Sequence, residues 1–170
     1  MMIIACVDEN NGLMFNHRRQ SRDSIVCRDI LQECRGKKLY MSAYSSRLFE
    51  EAEKTEEAKE AEREETKEAE GIENSGKAER AEIEITEDIL KRAGNEDACF
   101  IEDTEITGFE EKIQKVILYK WNRRYPADRY LSLELSDGSW GLLQTEEFKG
   151  SSHERITEEI YEKKKAPHDH

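Results

Sequence analysis

The sequence predicts an α/β protein in which a mixed, mostly parallel sheet is flanked by helices and a Glu-rich helical insert projects from the domain. Three observations carry this prediction. Short apolar runs typical of buried strands alternate with segments of helical periodicity along most of the chain. The 170 residues have the length of one ordinary domain, so we expect a single domain over 1–170. Over 50–76 the composition changes abruptly to Glu, Ala and Lys, which marks an insert within that domain.

The elements before the insert are a strand, a loop, a helix and a second strand. The apolar run from Met2 to Val7 predicts a strand buried on both faces, and Asn10 to Gly12 predict the turn after it. Apolar residues at helical spacing predict a helix from Ser24 to Arg35, with Gly36 at its C-terminal cap. A short strand from Lys38 to Met41 follows.

The insert reads EEAEKTEEAKEAEREETKEAE over residues 50–70. It has no apolar side chain larger than alanine, and eleven Glu against four cationic residues leave it a net charge of −7. Opposite charges at i,i+3 or i,i+4, such as Glu56 with Lys59, favour a helix. We expect a solvated helix that ends between Gly71 and Gly76 and packs no core.

The elements after the insert again alternate. Their expected bounds are strands over 81–85, 98–101, 115–121, 130–135 and 140–145, and helices over 86–94 and 109–114. Thr86 is the expected N-cap of the first of these helices. The last segment, 155–163, has a helical spacing of Ile156 and Ile160 but a Thr, Ile and Tyr content typical of a strand, so both structures stay open.

Cysteine usage and the apolar start bear on location. The four cysteines form no CxxC pair, and Cys27 and Cys34 are spaced to fall on one face of a helix, as core thiols do. We expect buried, reduced thiols. The apolar start ends at Asp8 and has no basic leader, so it predicts neither a signal peptide nor a membrane span. We expect a cytoplasmic protein without a membrane partner.

The order of these elements resembles that of dihydrofolate reductase. The resemblance begins with the strand, the Asn-Gly loop, the helix, the strand that ends in Met and the Ser-led helix after it. It continues beyond the insert in AEIEITEDILKRAGNEDACFIED, KVILYKWNRRYPADRYL, WGLLQTEEFKG and ITEEIYEKK. The resemblance implies the fold of that family and favours a strand over 156–161.

The positions that bind the family's cofactor differ in this chain. The family has a glycine pair that lets the backbone approach the cofactor pyrophosphate, and the matching residues here are Glu102 and Asp103. The family's phosphate-binding Gly-Arg-x-Thr is matched by residues 42–45, which keep a hydroxyl at Ser45 and lose the arginine. These differences imply a vacated pocket, so we expect a pseudoenzyme with no cofactor.

The residues around that pocket suggest what fills it. Val26 stands near the position of the family's substrate-binding acid, while Asp23 lies about one turn too early. We interpret Asp23 as a helix N-cap, with a displaced pterin-binding acid as the alternative. The loop NHRRQSR before it is expected to neutralise Glu102 and Asp103 and to plug the pocket with one of three arginines. These are Arg18, Arg19 and Arg22.

Other short motifs in the sequence suggest chemistry but do not predict a site. Glu102, Asp103 and Glu105 offer hard oxygen ligands, but a loop paired with nearby cations is the favoured interpretation, and we predict no metal site. The chain also resembles small acidic proteins labelled ribonuclease Z, but the HxHxDH metal signature of such an enzyme is absent. Ser151-Ser152-His153 and His168-Asp169-His170 form no site by adjacency alone, so we predict no catalytic residue.

The charge balance favours a binding function. With 39 Asp and Glu against 27 Lys and Arg, the net charge of −12 repels nucleic-acid phosphates and attracts basic proteins, so no direct DNA or RNA binding is expected. We expect an acidic nucleic-acid mimic that inhibits or regulates a nucleic-acid-handling protein, an anti-CRISPR inhibitor of an RNA-guided nuclease being one candidate. The alternatives are a divergent NADPH-dependent reductase and a metal-dependent nuclease, and a homodimer stays open.

Two surfaces are the expected partner-binding sites. The first is the acidic face of the insert, and the second is the aromatic and basic string WNRRY, for which packing at a strand end is the alternative. The residues are Glu57, Glu60, Glu64, Glu68, Trp121, Arg123 and Arg124.

Overall fold

A computed structural model of the chain describes residues 1–70 and 80–164, except for the side chains of residues 60 and 63–70. The expected end of the insert at Gly71 to Gly76 and the tail from His168 to His170 lie outside these residues. In chain order the strands are β1 (Met2–Val7), β2 (Gly12–Phe15), β3 (Arg18–Arg19), β4 (Lys38–Met41), β5 (Glu82–Ile85), β6 (Ala98–Phe100), β7 (Lys115–Lys120), β8 (Arg129–Tyr130), β9 (Trp140–Phe148) and β10 (Ile156–Lys163). The helices are α1 (Ser24–Glu33), α2 (Ala43–Leu48), α3 (Glu50–Glu70) and α4 (Ile89–Arg92), with a 3-10 turn at Glu110–Lys112.

Over the described residues, seven strands form one sheet in the order β5-β4-β6-β1-β7-β10-β9. The first five run parallel, β10 pairs antiparallel with β7, and β9 pairs antiparallel with β10. A smaller sheet has the order β3-β2-β8. The predicted α/β class with a mixed, mostly parallel sheet is therefore confirmed, and the open segment over 156–161 is a strand.

The core lies on both faces of the large sheet. In β1, Ile3 and Val7 belong to one buried cluster and Ile4 to the other, as alternation requires of a strand covered on both sides. Helix α1 covers the second face with apolar residues that include Val26 and Ile30. Strand β1 is therefore buried along most of its length. The loops that follow the strand ends supply the residues of the candidate site.

Helix α3 begins as a packed helix, which corrects the expectation that the insert packs no core. Ala52 is buried in the same cluster as Phe49, because alanine is small enough to let α3 approach α1 closely. Glu56 is also buried, and its carboxylate lies 3.6 Å from the Arg35 guanidinium rather than pairing with Lys59 as expected. The first two turns of α3 are therefore fixed against the domain.

Three predicted elements are shorter than expected, and one was missed. The helix expected over 109–114 is only the 3-10 turn at Glu110–Lys112. Thr86 donates its amide to the Met41 carbonyl, so it continues the β5 ladder and α4 begins only after Asp88. The strand expected over 130–135 is limited to β8. The missed element is the hairpin β2–β3, whose two-residue turn, Asn16-His17, lacks the glycine that usually marks such turns although both residues have positive φ.

The prediction of buried thiols is confirmed for three of the four cysteines. All four cysteines are free, and Cys27, Cys34 and Cys99 are buried while Cys6 is half-buried. Burial raises the pKa of each of the three buried thiols to about 12. In the part of the chain that is described, no helix has the length and apolarity needed to cross a bilayer.

Candidate functional site

The candidate site lies at the carboxyl ends of the parallel strands β1, β4 and β6, which is where open α/β sheets hold their ligands. Ser42 and Ser45 follow β4, and Glu102 follows β6. The hairpin β2–β3 belongs to the small sheet and carries Arg19 towards these loops. Two separate sheets thus contribute to one cleft.

The centre of the cleft is an ion pair between Arg19 and Glu102. The guanidinium donates two parallel hydrogen bonds to the carboxylate, from Nε to Oε2 at 2.8 Å and from Nη2 to Oε1 at 2.9 Å. Ser45 Oγ donates a third to Oε1 at 2.8 Å, and the Tyr44 ring centre lies 4.3 Å from the Arg19 guanidinium carbon. Burial opposes the charged guanidinium, but the hydrogen bonds and charge of Glu102 outweigh it and raise the pKa of Arg19.

Asp23 is the N-cap of α1, as expected. Its Oδ1 accepts from the amides of Ile25 at 2.9 Å and Val26 at 3.1 Å. Its Oδ2 accepts from the amide and the hydroxyl of Ser152, each at 2.8 Å. Burial alone raises the pKa of this carboxyl, but the donors from Ser152 and Val26 outweigh it and leave the pKa below its usual value. Both oxygens are therefore engaged by the chain itself, which leaves no free edge for a pterin ring.

The interior of the cleft is nearly filled. The cavity bordered by Asp23, Glu102 and Trp121 has a volume of about 20 Å³. About 10–15 Å³ of such volume holds one water molecule, so this space accepts a water and no bicyclic ring. Gln20 lines this cavity, and its Oε1 atom is buried without a hydrogen-bond partner among the described residues.

Outside the Arg19 and Glu102 pair, the cleft widens to about 390 Å³. Its wall includes Tyr44 and Ile89, and carboxylates of Glu87, Asp103 and Glu105 line it. Asp103 pairs with Arg129 at 3.0 Å, and Glu105 accepts from Thr107 and Ser132. This set of side chains does not fit a cofactor phosphate, because the carboxylates repel it and the guanidinium groups of Arg19 and Arg129 are already paired with Glu102 and Asp103.

The remaining predicted site residues lie apart from this pair. Arg18 and Arg22 are exposed, and among the described contacts neither pairs with Glu102 or Asp103. Arg123 and Arg124 are exposed as well. Trp121 is only 3% exposed, which removes it from the expected partner-binding surface and fits the alternative of packing at a strand end.

On the insert, Glu57 is exposed, and its carboxylate lies 3.4 Å from Arg80. The side chains of Glu60, Glu64 and Glu68 lie outside the described residues.

Sequence reasoning missed a hydrogen-bonded chain around His153. A carboxylate only accepts, so the Ser152 hydroxyl donates to Asp23 and accepts from His153 Nδ1 at 2.6 Å. His153 Nε2 then accepts from the Tyr125 hydroxyl at 2.6 Å, while Trp121 stacks on the imidazole at 4.9 Å. The Ser152 hydroxyl donates its proton to the Asp23 carboxylate, which is a weak base. These hydrogen bonds therefore fasten the loop to α1 and do not activate a nucleophile.

A second cluster that the sequence did not indicate lies between α1 and the sheet. Asp29, Glu33 and Glu158 place carboxylate oxygens within 4.8 Å of one another, and the Tyr119 hydroxyl donates to Asp29 Oδ2 at 2.5 Å. Burial, with the Asp29 charge, raises the pKa of Glu158 to about 8. The raised pKa favours one proton shared between Glu158 and Asp29 near neutral pH. Hard cations bind such oxygen sets, but a shared proton already accounts for this one.

Comparison with known proteins identifies the fold and nothing finer. No family model matches the chain, and no curated protein matches it. Among solved structures it is similar to dihydrofolate reductase from Enterococcus faecalis in complex with NADP(H) and RAB-propyl. The two share 11% sequence identity and a TM-score of 0.56, and the match covers 96% of each chain. The predicted dihydrofolate reductase-like fold is therefore confirmed, and at this identity the likeness speaks for the fold alone.

Proposed function

We propose that this chain is a binding protein built on a dihydrofolate reductase-like fold, and that α3 presents an acidic surface to a basic partner. The observation that carries the proposal is the nearly filled inner part of the cleft. Arg19 and Glu102 lie where such a fold holds its ligands, and the remaining interior volume is about 20 Å³. A chain that fills the inner part of its cleft with its own charged side chains is poorly suited to bind a reductase's substrate there.

The geometry of α3 supports the second half of the proposal. Its first turns are anchored by Ala52 and by the contact of Glu56 with Arg35. Beyond them the helix continues to Glu70, and its 21 residues span about 30 Å. An anchored helix of this length holds its backbone in a fixed direction relative to the domain. Such an acidic rod suits a groove that otherwise holds a nucleic acid, as in an RNA-guided nuclease.

A charge-neutral variant of the helix tests this function. Changing Glu57, Glu60, Glu64 and Glu68 to Gln keeps helix propensity nearly unchanged and removes four charges. We expect this variant to capture far less of the basic proteins that the unmodified chain captures from cells. The difference should be large at about 0.05 M salt and small at about 0.3 M, because salt screens exposed charges. Added DNA or RNA should release the same proteins.

A matched control separates the helix from total charge. The control removes four exposed charges elsewhere, at Glu9, Glu96, Glu111 and Glu154, again as Glu→Gln. It should capture partners as the unmodified chain does. Equal capture by the α3 variant and the unmodified chain at low salt would contradict the proposal and leave α3 a solvated spacer.

A further inference from the structure

The residues that contact Arg19 form a binding site and not only an ion pair. We propose that Glu102, Ser45 and Tyr44 form a socket for a guanidinium group, and that Arg19 is its resident, intramolecular ligand. A guanidinium-bearing ligand, such as an arginine side chain of a basic protein, competes with Arg19 for this socket. The inference rests on the proposed function in one respect only, namely that the partner is basic.

The socket meets the requirements of a guanidinium specifically. Glu102 accepts two parallel hydrogen bonds, a geometry that the planar fork of a guanidinium provides and an ammonium does not. The Tyr44 ring lies 4.3 Å from the guanidinium carbon, within the range of a cation–π contact. The Tyr44 carbonyl accepts a further bond from Nη2 at 3.4 Å. The guanidinium is thus contacted by a carboxylate, an aromatic face and a carbonyl.

The socket is held in place without Arg19. Ser45 Oγ donates to Glu102 Oε1 at 2.8 Å and lies 3.1 Å from Ser42 Oγ. Ser42 is in turn fixed as the N-cap of α2, where its hydroxyl accepts from the Ser45 amide at 3.1 Å. All of these residues follow strands of the large sheet, so the empty socket keeps its shape.

Arg19 belongs to a different and weaker element. Strand β3 has two residues, and its register with β2 consists of two residue pairs. The turn before it holds Asn16 at φ 52° and His17 at φ 62°, a conformation that side chains rarely adopt. Arg19 can therefore leave the socket without any change in the seven-stranded sheet.

A path for the competing ligand leads through the wider part of the cleft. Tyr44, Ser45 and Glu102 line the space of about 390 Å³, so the socket opens onto it. Glu87 and Glu105 line the same space, and their charges concentrate cations there. A ligand that enters from this side meets the socket with Arg19 as its only competitor among the described residues.

Chemical rescue of Arg19→Ala tests the socket with N-ethylguanidinium as the probe. The probe supplies the missing fork, and it should raise the melting temperature of the variant by about 3–6 °C at about ten times its Kd. N-ethylurea, which is neutral, and ethylammonium, which lacks the fork, should not. The unmodified chain should respond at least tenfold more weakly, because Arg19 occupies the socket.

The double variant Arg19→Ala with Glu102→Gln is the matched control and should not respond to the probe. Equal shifts in the single and double variants, or no shift in the single variant, would overturn the proposal. If Arg19→Ala does not fold alone, Arg19→Lys keeps a charge and lacks the fork. The same response to N-ethylguanidinium is then required of Arg19→Lys, and its absence also overturns the proposal.

Thiol labelling gives a second readout. Cys6 and Cys27 border the small cavity beside the socket, whereas Cys34 and Cys99 do not. In Arg19→Ala, alkylation of the first two should accelerate and N-ethylguanidinium should slow it, with the other two as internal references. This experiment uses no protein partner, so its failure would contradict the socket and not the proposed function. The capture experiment uses chains in which the socket is unchanged, so its failure would contradict the proposed function and not the socket.

Discussion

Replacing Glu158 with Gln should remove a pH dependence from the stability of this fold. Glu158 is 3% exposed and faces Asp29 and Tyr119, and burial with the Asp29 charge raises its pKa to about 8. In the unfolded chain the same carboxyl has the ordinary glutamate pKa of 4.5. Between these values the folded chain holds a proton that the unfolded chain has lost, so stability falls as the pH rises.

The size of this effect follows from linkage. One bound proton changes the free energy of unfolding by at most about 1.4 kcal/mol per pH unit. Glutamine has nearly the same shape, carries no titrating proton and still donates to Asp29. The unmodified chain should therefore lose stability relative to Glu158→Gln from about pH 5 to about pH 8. The titration of Glu33 contributes to the stability of both proteins, so it cancels in their difference.

Urea unfolding followed by the fluorescence of Trp121 and Trp140 measures this difference at each pH. Glu162→Gln is the control, because Glu162 is exposed on the same strand and lies outside the cluster. It should reproduce the slope of the unmodified chain. Parallel stability curves for the unmodified chain and Glu158→Gln would refute the shared-proton explanation of this cluster.

Two further predictions concern the insert and the loop at Ser152. A short Gly/Ser linker in place of residues 58–79 should leave the melting temperature unchanged. Replacing 50–70 should lower it by about 2–4 °C for each kcal/mol of packing lost at Ala52 and Glu56. Loss of the cooperative transition in the variant that replaces 58–79 would show that the outer half of the insert also packs. Ser152→Ala should cost about 1 kcal/mol at neutral pH in urea unfolding. Because hydrogen bonds hold the pKa of Asp23 below its ordinary value, the stability they contribute is lost as the pH falls through the folded pKa, so the difference between the two proteins should shrink in acid. An equal cost in acid and at neutral pH would contradict that assignment.

Local patterns predicted most of the scaffold. The apolar run of β1 and the Asp23 cap of α1 are signals that lie within a few residues of the element they define. The order of such elements was enough to indicate the fold. The hairpin β2–β3 was missed because Asn16 and His17 take a conformation that is usually marked by glycine.

The candidate site was harder to predict from the sequence, because its contacts join residues that are far apart in the chain. Three arginines stood in one loop, and strand alternation decides among them, since Arg19 lies opposite the buried Met14 and Arg18 opposite the exposed Phe15. The bonds between Ser152 and Asp23 join residues 129 positions apart. No sequence window contains both partners of such a contact.

Titration with NADPH tests the central claim, which is that the chain's own side chains fill the place of the family's ligands. Fluorescence of Trp121, which borders the small cavity, and the melting temperature both report binding, with an active dihydrofolate reductase as the positive control. We expect no saturable change in either signal, because Glu102 is paired with Arg19 and the carboxylates that line the cleft repel phosphate. Saturable binding at micromolar NADPH would contradict the claim and make the chain a reductase candidate again.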